Sequence, residues 1–151
     1  MALRSSARRP VTAGAALVAG VLMLTAAITA SASTGAQKTV KDKVYSKEQA
    51  AKAAEQFDKF CAKCHIKEKV PEGKKPGPPL SGDEFLEAWK DRTVAELLEL
   101  IFTTMPNDGA ATLTKEETAD LVALILQQNK FPEGTDALKY DDAAKAIVIV
   151  K

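Results

Sequence analysis

Between residues 46 and 132 the apolar side chains recur at intervals of three and four positions, the spacing that gives a helix one buried stripe. The first run takes in Ala50, Ala54, Phe57 and Phe60 and continues to Cys61 and Cys64. Ser46 followed by Gln49 is a capping box and predicts that this helix starts at Ser46. Phe57, Cys61 and Cys64 stand at i, i+4 and i+7, so one helical face presents an aromatic ring and both thiols. Ser81 with Glu84 predicts the start of a short helix carrying Phe85, Leu86 and Trp89. Thr93 with Glu96 opens another, striped by Val94, Leu97, Leu98, Ile101 and Phe102. Thr114 with Glu117 opens the last long helix, whose apolar face holds Leu121, Val122, Leu124, Ile125 and Leu126. Asn129 ends it, and Phe131-Pro132 blocks its continuation.

The intervals break the pattern with their own chemistry. Residues 70–80 contain four prolines and two glycines, which exclude helix and central strand and leave a stiff extended loop. Residues 103–112 form a second loop, with Met105-Pro106 and Asn107-Asp108-Gly109 as turn signals. The expectation is an all-α domain over residues 45–132. Residues 33–44 mix small and charged residues without period and are expected to be a mobile lead-in. Residues 133–151 read as a C-terminal extension, in which the apolar, β-branched run 146–150 suits a short strand or an extended segment docked on the domain.

The amino terminus lies outside this scheme. Residues 1–10 carry Arg4, Arg8 and Arg9 and no acid, residues 11–30 are uncharged and mildly apolar, and Ala30-Ser31-Ala32 follows. This order of basic, apolar and small-residue regions predicts a secretory signal peptide over residues 1–32 and places the protein in the periplasm. The alternative is an uncleaved anchor, since residues 11–30 are long enough to cross a bilayer. Two cysteines in an exported protein ordinarily suggest a disulfide. A bond across C-x-x-C closes so short a loop that it stabilises little.

Cys61-Ala62-Lys63-Cys64-His65 contains both cysteines and the only histidine. C-x-x-C-H is the attachment signature of a c-type haem, with the two thiols bonded to the porphyrin and the histidine an axial ligand of the iron. A zinc site needs further Cys or His ligands, and the chain has none. A thioredoxin-like pair would open a helix after a strand, whereas this one closes a helix. Removal of residues 1–32 takes Met1 and Met23 and leaves Met105, 40 residues beyond His65. A lone methionine is often a core filler. Met105 instead sits beside Pro106 in a loop, which makes it the candidate for the sixth ligand.

Together, Cys61-Ala62-Lys63-Cys64-His65, Gly77-Pro78-Pro79-Leu80, Thr103-Thr104-Met105-Pro106 and the long last helix resemble class I (monohaem) c-type cytochromes. The likeness is to small bacterial cytochromes c and to the haem domains of quinohaemoprotein alcohol dehydrogenases. It implies about four helices wrapped around one haem c, bound through Cys61 and Cys64 and ligated by His65 and Met105. It also implies that Pro78 offers its carbonyl to the Nδ1–H of His65, a contact that orients the ring, or else only stiffens the loop. For Trp89 it implies an indole N–H donated to a haem propionate; packing as a helix anchor is the plainer role.

Such a protein carries single electrons and is not an enzyme. His/Met ligation favours a high potential, so a periplasmic dehydrogenase or membrane complex would donate and a terminal oxidase would accept. The alternatives are a dedicated electron-accepting subunit of a quinoprotein dehydrogenase, and a haem sensor or peroxidase with an open sixth site. Charge refines the partner. Residues 41–75 hold ten lysines against six acids, and residues 81–120 hold three bases against ten acids. Lys63, Lys67, Lys69, Lys74 and Lys75 surround the attachment motif and either form a solvated face or steer an acidic partner. Without its three leader arginines the chain has 18 bases against 20 acids, so nucleic-acid binding is not expected. A monomer free of the membrane after leader removal is.

Overall fold

A computed structural model describes residues 36–151; the expected signal peptide lies outside the described residues. The elements run β1 (Lys38–Thr39), α1 (Lys47–Phe60), α2 (Ala62–His65), α3 (Asp83–Trp89), α4 (Val94–Thr104), α5 (Lys115–Gln128) and β2 (Ile147–Val148). Helices dominate, as expected of an all-α domain. None of the described helices is long and apolar enough to cross a membrane.

The frame is the pairing of α1 with α5. α1 turns Gln49, Ala50, Ala53 and Phe57 inward, and its two small alanines let the helices approach closely. α5 is buried continuously from Thr118 to Leu126, because α1 covers one side and α4 another. α4 contributes Val94, Leu97, Leu98 and Ile101 to the same core.

Local start signals work where nothing competes with them. Thr93 and Thr114 each form the full reciprocal capping box with Glu96 and Glu117. Ser46 accepts the Gln49 amide, but the Gln49 side chain turns away to Leu138, donating to its carbonyl and accepting from its N–H, both at 2.8 Å. The box expected at Ser81 does not form. α3 begins one step later, with Gly82 as its N-cap at φ 83°. The Gly82 N–H donates to Asn129 Oδ1 at 3.0 Å, while Asn129 Nδ2 donates to the carbonyls of Leu80 and Ile125. A tertiary partner has overridden the local cap. The helix expected to run unbroken from Ser46 to Cys64 is also interrupted, at Cys61.

Residues 36–44 of the expected lead-in and the extension from residue 133 both pack into the domain. β1 and β2 pair in parallel, Lys38 against Ile147 and Thr39 against Val148. Val40, Val44, Leu138, Ala144, Ile147 and Ile149 are all buried. Tyr45 donates its hydroxyl to the Phe131 carbonyl at 2.6 Å, and Gly134 returns its N–H to the Tyr45 carbonyl at 2.7 Å. Gly134 lies so near the chain that a Cβ there would collide with the Lys43 carbonyl oxygen. Residues 36–44 lack period because they are strand and crossing rather than helix; β1 pairs with β2, and Val40 N–H donates to the Val148 carbonyl, more than a hundred positions away.

Candidate functional site

A cavity of about 630 Å³ opens between the α1–α2 junction, the proline loop, α3, α4 and α5. Its size is that of a small-molecule or cofactor site. All six residues singled out in the sequence line it: Cys61, Cys64, His65, Pro78, Trp89 and Met105. Phe57, Phe85, Leu97, Ile101, Leu121 and Ile125 supply apolar walls.

The helical path brings the thiols to the cavity. Cys61 N–H donates to the Phe57 carbonyl, and Cys64 and His65 both donate back to Cys61, so the chain keeps its turn through the break. Both cysteines are free thiols and half-buried. Burial, followed by the neighbouring Cys64, pushes the Cys61 thiol up to about 11. It is therefore protonated and a poor free nucleophile at neutral pH, unlike the low-pKa thiol of a dithiol oxidoreductase.

His65 is held from behind. Its Nδ1 lies 2.7 Å from the Pro78 carbonyl oxygen. A carbonyl only accepts, so Nδ1 carries the hydrogen and Nε2 keeps its lone pair for a metal. The proline loop reaches this position because Gly77 N–H donates to the Cys64 carbonyl at 2.8 Å. Gly77 itself packs on the ring: a Cβ there would stand 3.0 Å from Cε1 and 3.1 Å from Nδ1. The sequence marked Gly77 as a breaker of helix and strand. Its close approach to the imidazole carries no sequence signal beyond its place before Pro78.

Met105 is the C-cap of α4, its N–H bonded to the Ile101 carbonyl at 3.0 Å. α4 runs two residues further than its apolar stripe suggests, to Thr104. Thr103 and Thr104 turn their hydroxyls back onto the carbonyls of Glu99 and Leu100, at 2.7 and 2.6 Å, the bond to position i−4 that helical threonines can make. Just beyond, Asp108 pairs with Lys63 at 2.7 Å. The lysine inside the attachment motif is thus tied to the methionine loop, and holds the Asp108 carboxyl below its usual range. Lys69 pairs with Asp58. Lys75 lines the cavity, and Lys67, Lys74 and Lys75 have no ion-pair partner among the described residues.

Trp89 stacks on Phe85, ring centroids 6.2 Å apart, under the Arg92 guanidinium at 4.2 Å. The structure thus gives it an anchoring role while also setting it in the cavity wall.

The arrangement fits a covalently held, flat, largely apolar metal cofactor. Two thiols share a wall with an imidazole whose free nitrogen is fixed by tautomer, a thioether lines the same cavity, and apolar side chains fill the rest. A family profile described as "Cytochrome C oxidase, cbb3-type, subunit III" matches residues 48–125. The chain belongs to this family of class I c-type cytochromes. No curated protein and no solved structure matches it. Membership implies a covalently bound haem c and the transfer of electrons through it, with other redox proteins as partners; domains of this kind are typically carriers. The matched span begins at Glu48 in α1 and ends at Ile125 in α5, so the family pattern covers the cavity and leaves out both strands.

Proposed function

We propose that this cytochrome is exported and carries single electrons between periplasmic redox partners, its haem attached through Cys61 and Cys64 and ligated by His65 and Met105. The observation that carries the reading is the convergence of both thiols, the imidazole and the sole methionine of the described residues on one apolar cavity. When bound, the haem supplies a one-electron ferric–ferrous couple.

The protein's part is to hold, orient and insulate. Pro78 fixes the His65 ring and, by accepting its Nδ1–H, makes Nε2 a stronger donor to iron. The Met105 thioether is a soft ligand that favours the reduced state and raises the potential. Phe57, Leu97, Leu121 and Ile125 exclude water, which also raises it. Trp89, in the cavity wall, would offer its indole N–H to a propionate. A high potential suits acceptance from a periplasmic dehydrogenase or membrane complex and delivery to a terminal oxidase. The oxidase named in the family description supports the delivery end. Lys67, Lys74 and Lys75 would steer an acidic partner, with association slowing as salt rises. The amino-terminal residues support export.

The test is to produce the full-length protein in a host with c-type haem maturation and fractionate the cells. Expected are a periplasmic product lacking residues 1–32, haem that stays with the polypeptide after denaturation, and a one-electron redox titration. Replacing both Cys61 and Cys64 by Ala should release the haem on denaturation. Haem that leaves the wild-type chain on denaturation, or a cytoplasmic product, contradicts the proposal.

A further inference from the structure

The family profile ends at Ile125, yet the last five residues are built onto the wall of the cavity. From the carboxyl end, Ile149 reaches the turn between α3 and α4. Asp91 N–H donates to the Ile149 carbonyl at 2.9 Å, and Ile149 N–H donates to the Arg92 carbonyl at 2.8 Å. Val148 forms an antiparallel bridge with Thr93, the N-cap of α4. The Ile149 side chain is fully buried. Two residues on, the Lys151 ammonium grips α3 from outside, 2.7 Å from Glu87 and 3.5 Å from Asp83.

What is held there matters to the cavity. Asp91 has φ 65°, a left-handed conformation that costs an L-residue free energy, though less for Asp than for most. Arg92, whose carbonyl Ile149 binds, lays its guanidinium 4.2 Å above the Trp89 ring. Trp89 and Phe85 stack in the cavity wall. α3 has only seven residues, too few to be stable alone, and among the described helices it forms no extensive helix–helix packing of its own.

We propose that residues 147–151 are a strap whose role is to position α3, and with it Trp89, against the haem cavity, so that the strap limits water access to the cofactor and sets its potential. Two backbone hydrogen bonds and the Ile149 side chain pin the turn, and Lys151 fixes the helix above it. A looser α3 admits water beside the cofactor. Water stabilises the more highly charged ferric state, so the potential falls. This inference rests on the haem reading of the cavity.

Trp89 is the only tryptophan, which gives the test an internal reporter, since a haem beside it quenches its emission. Haem-loaded wild type is compared with a variant ending at Ala146 and with Ile149→Ala, by tryptophan emission, amide hydrogen exchange and redox titration. The truncated protein should show several-fold stronger emission, exchange of the α3 amides about tenfold faster and a lower potential, with Ile149→Ala between it and wild type. Wild-type emission, exchange and potential in a haem-loaded truncated protein overturn the proposal. If truncation prevents folding, wild-type exchange decides. The Asp91 and Ile149 amides must open together with α3, and their exchanging much faster than α3 overturns it equally. A wild-type chain that binds no haem sinks the reading of the cavity instead, and the exchange measurement on the strap still stands by itself.

Discussion

An added methyl at Gly77 would meet the His65 ring at 3.0 and 3.1 Å and the Cys64 carbonyl oxygen at 3.4 Å, so this glycine is required by proximity and not by a left-handed backbone. The loop lies close enough for the Pro78 carbonyl to accept the His65 Nδ1–H hydrogen bond only because position 77 has no side chain. Gly77→Ala should therefore push the imidazole or the loop away and destabilise the protein by about 1–3 kcal/mol, read by chemical denaturation of the haem-loaded form. A change smaller than about 0.5 kcal/mol contradicts the crowding argument. Cys61, Cys64 and His65 were legible from sequence because their chemistry is written in contiguous residues. Gly77 and Asp108 act through space; the sequence marks both as loop and turn residues and carries no sign of their contacts with His65 and Lys63.

Among the elements, α5 ends in a fully formed turn of unusual composition. Phe131 N–H donates to the Leu126 carbonyl and Lys130 N–H to that of Gln127, the paired bonds of a Schellman motif. The residue in its left-handed position, normally glycine, is Lys130 at φ 62°. Lys130→Gly should relieve that conformation and stabilise the protein by about 1 kcal/mol, seen as a melting temperature a few degrees higher. A lower melting temperature contradicts this account of the helix end. The same contrast explains which elements the sequence foretold. Thr93 and Thr114 start helices through bonds spanning three residues, and both were predicted at the right position. Ser81 carried the same local signal and lost to Asn129, 48 positions away. Val40 reads as part of a mobile lead-in because its backbone partner, Val148, lies 108 positions further along the chain. Local rules capture local bonds.

At the scale of the molecule, the α1–α5 pair holds one side of the cavity and the strapped α3–α4 turn closes another, with many surface carboxylates in polar contacts around them. Glu87 is the most shifted, held down to about 2 from 4.5 by hydrogen bonds from Lys151 and Lys90. Hydrogen bonds with Thr39, Thr93, Lys63 and Thr114 lower Asp42, Glu96, Asp108 and Glu117 in turn. A carboxylate lowered by folding stabilises above its unfolded pKa and loses that contribution as pH falls through the folded value. Stability should thus hold level from neutrality to about pH 4.5 and fall toward about pH 2; Glu87→Gln should flatten part of that slope, and an unchanged slope contradicts the role given to Lys151. Met105 is proposed to complete a His/Met-ligated, electron-carrying haem. That ligation is tested most directly by absorption spectra of the oxidised and reduced protein, with and without carbon monoxide, for wild type and Met105→Ala. Oxidised wild type should show a methionine-to-iron charge-transfer band and the reduced form should not bind carbon monoxide, both reversed in Met105→Ala. If neither the band nor carbon monoxide binding changes on mutation, Met105 is not the ligand and the claim is wrong.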